Sequence, residues 1–340
     1  MNYNQPKKSF RQLLFGFGVL LYRFGLARLV IGLSPNRLRA MLYHAVEPRT
    51  NDWTEGLGVN VTPEEFAANL DYFQKYYNVI DVMDVSDDNM PKCPLVITFD
   101  DGYQSVATHA MPALVERSMP ATVYLVTRAV NGELVWVNLL NRALNSAPDA
   151  MRAVIQSIPE LAHTANKQQI IGIVQKKFLP AQIESLCEKV AAAIPAHELQ
   201  PSEPLYMNRD TIKSLQQKRI HFGFHTRDHF NMGLCSREDI VSQLDKTGVE
   251  DCLDSNSFAY PFGYFNKDAI SCVEADDYQH IMTVGNNNQR FSKAHLDRIE
   301  VFTADPAHVF SHLEIVEPII SYARRAVLTL KGRYNSREPS

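Results

Sequence analysis

From Arg39 onward the chain alternates short strand-like runs with helix-start signals, a rhythm that fits an α/β architecture in which helices cover a mostly parallel sheet. The candidate strands are 39–46, 78–82, 95–99, 121–126, 220–225, 257–260, 280–284 and 298–302. About eight such strands with intervening helices favour a sheet closed into a barrel. Thr62-Pro63-Glu64-Glu65 places an N-cap threonine, a proline at the first helical position and a glutamate at the third, which opens a helix running to about Tyr77. Ser236 with Asp239 opens another. Between 138 and 204 the rhythm breaks. Helix-like segments at 148–158, 167–178 and 181–194 are separated by Pro159, Pro180 and Pro195, with no strand pattern, so a helical insertion on the barrel is expected there.

The 340 residues are 45% hydrophobic and 21% charged, enough for a sizeable core and unlike a disordered or collagen-like chain. The net charge of −4 hides an uneven distribution. Residues 1–40 carry seven basic side chains (Lys7, Lys8, Arg11, Arg23, Arg28, Arg37, Arg39) and no acid, residues 321–340 net +4, and the stretch between them is left at −15. An acidic body excludes a nucleic-acid-binding surface, which needs a basic face against phosphates. The basic ends point to something anionic.

Residues 13–33 are mostly apolar, yet Arg23 and Arg28 interrupt them, and the longest uncharged run, 12–22, is shorter than the roughly 20 residues of a bilayer span. Residues 1–38 are therefore expected to form an amphipathic segment lying on an anionic membrane, aided by the basic C-terminal tail within 306–340, with the protein at the cytoplasmic face. The alternatives are a helix or two packed on the domain's own surface, and an exported protein, since a basic start before an apolar run resembles a secretory signal, although no small-x-small cleavage site follows. The five cysteines are widely spaced, with no Cys-x-x-Cys pair, and fit neither a zinc finger nor a disulfide framework.

Three stretches carry chemistry. In Leu95-Val96-Ile97-Thr98-Phe99-Asp100-Asp101-Gly102 a buried strand ends in two adjacent carboxylates before a glycine turn, at the edge where α/β barrels keep their active sites. In Phe224-His225-Thr226-Arg227-Asp228-His229 two histidines four apart face one ion if the chain turns helical after the strand. Joined to Asp101 they form a two-histidine, one-carboxylate set with open positions for water and substrate. Phe258-Ala259-Tyr260-Pro261-Phe262-Gly263 is a strand end and an aromatic-Pro-aromatic-Gly turn that can aim a backbone N–H at an oxyanion and offer an aromatic wall to a sugar.

Taken in that order, Thr98-Phe99-Asp100-Asp101-Gly102, His225-Thr226-x-x-His229 and Pro261-Phe262-Gly263 resemble the polysaccharide deacetylase superfamily, carbohydrate esterase family four, over roughly residues 39–305. The resemblance implies a deformed (β/α)7-type barrel and metal-dependent hydrolysis of an N-acyl group on an amino sugar. It makes Asp100 the general base and Asp101, His225 and His229 the ligands of a divalent ion: zinc, with cobalt, nickel or iron(II) as further ions. It gives the Tyr260-Pro261-Phe262 turn to substrate and the Phe262 N–H to the oxyanion. The general acid of the family often sits in a Leu-x-His element; here Leu42-Tyr43-His44 lies on the first strand, as in a permuted branch that includes exopolysaccharide deacetylases. His44 is the expected acid, with His295 its rival. Many members carry an arginine where this chain has Ala259, so the partner of the catalytic aspartate must come from elsewhere, and Arg298 is the candidate. The expected activity is removal of an N-acetyl group from an amino sugar of a polysaccharide or lipid-linked glycan precursor. Deformylation of a lipid-linked formamido sugar and a non-catalytic carbohydrate-binding role are the alternatives.

Overall fold

The computed structural model describes residues 8–86, 89–164, 166–284 and 295–323. Among the described residues ten strands follow one another: β1 Arg39–Tyr43, β2 Ala45–Val46, β3 Asn60–Val61, β4 Asn78–Val79, β5 Pro94–Phe99, β6 Ala121–Leu125, β7 Ile220–Phe224, β8 Ser257–Ala259, β9 His280–Val284 and β10 His295–Glu300. The main sheet has the order β1-β10-β9-β8-β7-β6-β5-β4, and a further β1–β5 pairing closes it into a seven-strand parallel barrel with β4 as an outer strand. Every pairing is parallel, so each carboxyl end opens on the same rim.

Side-chain alternation on these strands separates two cores. Met41, Tyr43, Ile97, Phe99, Phe222 and Phe258 point outward under the helices. Ala40, Val96, Tyr124, Ala259 and Met282 meet in the lumen. Gly223 belongs to the lumen for a steric reason: a Cβ there would stand 2.6 Å from the Tyr124 ring and from Ser257 Oγ. Thr62 and Glu65 form the expected reciprocal cap on the helix Pro63–Tyr76, and Ser236 and Asp239 do the same on Arg237–Gln243.

Several boundaries differ from the sequence reading. The expected strand 39–46 is two strands broken at His44, the second pairing with β3 in a separate sheet. The last strand begins at His295 rather than 298, so His295 is a strand residue and not a loop residue. Residues 225–229 are not helical. The insertion starts earlier than 138: the helix Trp136–Ser146 precedes Pro148–Gln156, Lys167–Lys177 and Pro180–Ala193. It is fastened to the barrel by Asn138 Nδ2 and Asn141 Nδ2, which donate to Trp53 O at 3.1 and 2.9 Å.

Residues 8–33 form the helices Lys8–Arg23 and Ala27–Gly32, with Ala27 and Ile31 buried in the core. Residues 306–323 are helical and pack on the first of them, while the basic residues from Arg324 onward lie outside the described residues. No helix among the described residues is long and apolar enough to cross a membrane.

Candidate active site

Two left-handed residues in succession, Asp101 (φ 71°) and Gly102 (φ 73°), bend the chain immediately after β5. This bend answers the difficulty that adjacent strand residues point opposite ways: Asp100 keeps the inward direction of Val96 and Thr98, and Asp101 is swung onto the same rim. After β7 the work done by a helix in the sequence reading is done by an irregular turn. Thr226 (φ 68°) and His229 (φ 60°) are both left-handed, and the His229 N–H donates to Thr226 Oγ1 at 3.1 Å. Positive φ at non-glycine residues costs of order 1–3 kcal/mol each and persists where the surroundings over-determine it. Trp136 of the insertion helps, its indole N–H donating to His229 O at 3.0 Å.

The consequence is a tight buried cluster. Asp101 Oδ1 lies 3.2 Å from His229 Nε2 and 3.7 Å from His225 Nε2, and the two ring nitrogens are 3.2 Å apart. His225 Nδ1 donates to Ala259 O at 2.7 Å, which leaves Nε2 as the lone-pair nitrogen of the neutral ring. Asp101 Oδ1 is buried without a hydrogen-bond partner among the described residues. An orphaned carboxylate oxygen facing two imidazole nitrogens is what a bound cation satisfies, so these three side chains fit a metal ion. Burial pushes His225 down to about 4, keeping the ring neutral as a ligand must be. Burial works to raise Asp101, but the facing His229 outweighs it and holds the carboxyl well below the ordinary range.

Asp100 sits beside this cluster, its Oδ2 3.6 Å from His225 Nε2. Arg298 reaches it across the lumen from β10: Nη1 and Nη2 donate to Oδ1 and Oδ2 at 2.6 and 2.7 Å, and Nη1 also reaches Thr98 Oγ1 at 3.3 Å. The guanidinium lies 5.4 Å from the Tyr124 ring centre. Ala259 occupies the lumen layer where an arginine is often found in the resembled family, and β10, two strands away, supplies the cation instead. Burial raises the Asp100 pKa, yet the paired Arg298 brings the net shift below the ordinary carboxylate value.

The rim opens on a cavity of about 250 Å³ lined by Asp100, Asp101, His225, His229, Phe262 and His44. His44 is held at the break between β1 and β2, its Nδ1 3.5 Å from Glu300 Oε1. Glu300 was not singled out from sequence, although it follows Arg298 by two on the same strand and so shares its inward face. His295, at the opposite, amino end of β10, does not line the cavity; its ring stacks on Tyr260 at 6.3 Å. In the third stretch Phe262 is left-handed (φ 56°, ψ 5°) and its ring lies edge-on to His229 at 4.4 Å. Tyr260 and Pro261, expected to face substrate, are instead buried behind the wall, Tyr260 against Phe265 and Phe258. The insertion supplies Val137, Ile171 and Gln175 to the cavity, residues without a sequence signal, because an insertion helix carries no motif for what it will face.

A parallel barrel whose carboxyl rim joins an ionised buried aspartate to a triad that could hold a cation fits a hydrolase. The particular family follows from comparison: the polysaccharide deacetylase family model matches residues 87–281, more than half of the chain, and the chain belongs to that family. It is a carbohydrate de-N-acetylase. Its fold is similar to that of the deacetylase PplD from Streptococcus pyogenes, solved in complex with acetate (16% identity, 82% of this chain and 99% of that one, TM-score 0.53). It is also similar to a de-N-acetylase from Aggregatibacter actinomycetemcomitans (12% identity, 79% and 96%, TM-score 0.51). No curated protein sequence matches the chain.

Proposed function

We propose that this enzyme removes the N-acetyl group from an amino sugar of a polysaccharide or lipid-linked glycan precursor, using a divalent metal ion held by Asp101, His225 and His229. The observation that carries the proposal is the buried triad set against the Asp100–Arg298 pair on one rim. When bound, the ion supplies Lewis-acid polarisation of the amide carbonyl and lowers the pKa of a neighbouring water. Asp100, kept ionised and aimed by Arg298, takes the proton of the attacking water. The Phe262 N–H donates to the oxygen on which negative charge develops. His44, with Glu300 Oε1 3.5 Å from its Nδ1, delivers a proton to the departing amine. The amide bond breaks, acetate leaves, and the free amine remains on the sugar. Zinc suits two imidazoles and a carboxylate, with cobalt, nickel and iron(II) as competitors.

The test strips the protein of metal and restores single ions while following product by mass on N-acetylated and N-formylated amino sugars, both free and lipid-linked. Acetate release that disappears with the metal and returns with zinc supports the proposal. Full activity in metal-free protein would sink the metal assignment, and formate release alone would transfer the activity to a formamido sugar.

A further inference from the structure

We propose that the outer face of the two N-terminal helices is a docking surface for an anionic lipid bilayer, such as the cytoplasmic leaflet presents. The helix Lys8–Arg23 has two apolar faces. Its inner face is fixed to the C-terminal helix: Ser311 Oγ donates to Phe15 O at 2.8 Å, the Phe15 ring lies 5.0 Å from His308, and Tyr22 lies 5.7 Å from Phe310. A Cβ on Gly18 would stand 2.4 Å from Ser311 Oγ, so the two helices touch along this line.

The outer face has no protein partner among the described residues. Phe10, Leu13, Phe17, Leu20 and the following Phe24 recur at alternating spacings of three and four, a single stripe, and are 44–78% exposed. The helix Ala27–Gly32 continues it, burying Ala27 and Ile31 while Leu29 and Leu33 stay 65% and 76% exposed. A chain of this kind ordinarily covers so concentrated an apolar surface. The stripe is too short to cross a bilayer, and no helix of the described residues is long and apolar enough to do so. Lying in the plane of the headgroups is what remains for it.

Charge selects the occupant. Arg23 and Arg28 are exposed beside the stripe, Arg11 flanks it while contacting Glu317, and residues 1–40 contain no acid. A second copy seated on the same face would bring two wholly basic segments together. The C-terminal residues 324–340 carry five basic side chains against one acid, so their sequence offers these arginines no net counter-charge. An anionic bilayer satisfies both the stripe and its arginines. The surface is separate from the reaction: the second helix leads into the amino end of β1, opposite the catalytic rim, and no residue of 8–33 lines the cavity. Docking thus tethers the enzyme without covering its mouth.

Flotation of the full chain with phosphatidylcholine vesicles, with and without phosphatidylglycerol and at low and high salt, tests this. The expected result is salt-sensitive binding to the anionic vesicles only, weakened by about tenfold or more in Leu13→Glu/Phe17→Glu. That variant changes exposed side chains, so its thermal midpoint and its turnover of a soluble N-acetylated oligosaccharide should stay as in the parent. Arg23→Glu/Arg28→Glu should lose the preference for anionic lipid. Absence of flotation by the parent, or equal flotation of the first variant, would overturn the proposal, as would a parent dimer that this variant dissolves. Failure here with intact turnover counts against docking alone, whereas inactivity on the soluble substrate counts against the deacetylase mechanism.

Discussion

Asp100 can accept a proton only while ionised, and its burial works against ionisation. Arg298 offsets that cost with two short hydrogen bonds. Replacing Asp100 by Asn should lower kcat by about 10²–10⁴-fold while leaving bound metal unchanged, whereas Asp101→Ala should lose the metal as well; metal content and kcat measured together separate the two roles. In Arg298→Met the main counterweight to burial is gone, so the Asp100 pKa rises. Since the base works deprotonated, the acid limb of kcat/KM should move to higher pH, and an unmoved limb would show that Arg298 does not keep Asp100 ionised. His44→Gln should reduce turnover by about 10²-fold or more, with His295→Gln near the parent, because only His44 reaches the cavity; the opposite ranking would reassign the acid. The residues of this site were legible where chemistry and spacing are local: two carboxylates before a glycine, two histidines four apart. Glu300 carried the weaker signal of sharing a face with Arg298, and the pocket residues of the insertion carried none.

At the scale of elements, strands were easier to read than the turns that follow them. Continuous apolar runs announce a buried parallel strand, so β5, β6 and β7 fell close to expectation. The turn 225–229 did not, because two histidines four apart fit a helix as well as the left-handed turn found, and only contacts with Trp136 and Asp101 choose between them. The insertion was legible as helices but not as a wall of the site. Its helix Lys167–Lys177 brings Gln175 to the cavity, while Gln175 O accepts from Asn231 Nδ2 at 2.8 Å and so holds the helix in place. Gln175→Ala keeps that backbone bond and removes only the side-chain amide. KM should rise about two- to tenfold with kcat little changed, as for loss of one uniform hydrogen bond to substrate; an unchanged KM would mean that substrate does not reach the insertion.

Across the whole molecule, a buried ion cluster ties the C-terminal helical segment to the amino side of the barrel. Glu314 accepts from Arg39 Nε and Nη2 at 2.9 Å each, from Arg37 at 2.6 Å and from the Tyr77 hydroxyl at 2.9 Å. Glu314→Gln would leave Arg39 buried and short of its partner, and should cost about 3–5 kcal/mol in urea unfolding. Burial alone would raise Glu314, but the two arginines and Tyr77 bring it below its ordinary value. A carboxylate lowered in the folded state contributes stability above its unfolded pKa and loses it as pH falls through the folded one. His225, lowered from 6.5 to about 4, acts in the same direction: between those values the unfolded chain binds the extra proton, so stability falls with pH. Metal-free protein should therefore lose stability from about pH 6.5 to 4 through His225, and a further loss below 4.5 due to Glu314 should vanish in Glu314→Gln.

By itself the amino-acid sequence determined the α/β alternation, the motif residues at strand ends, and the basic apolar character of the N-terminus. Each of these depends on neighbours within a few positions, where hydrogen-bonding period and turn chemistry act. Only the tertiary structure decided that Arg298 meets Asp100, 198 positions away, and that Arg39 meets Glu314, 275 away. Barrel closure sets β10 against β1 and β1 against β5, and that closure selects which inward side chains face one another. Packing of the C-terminal helix likewise decided which of two apolar faces on Lys8–Arg23 is buried and which is left to the outside.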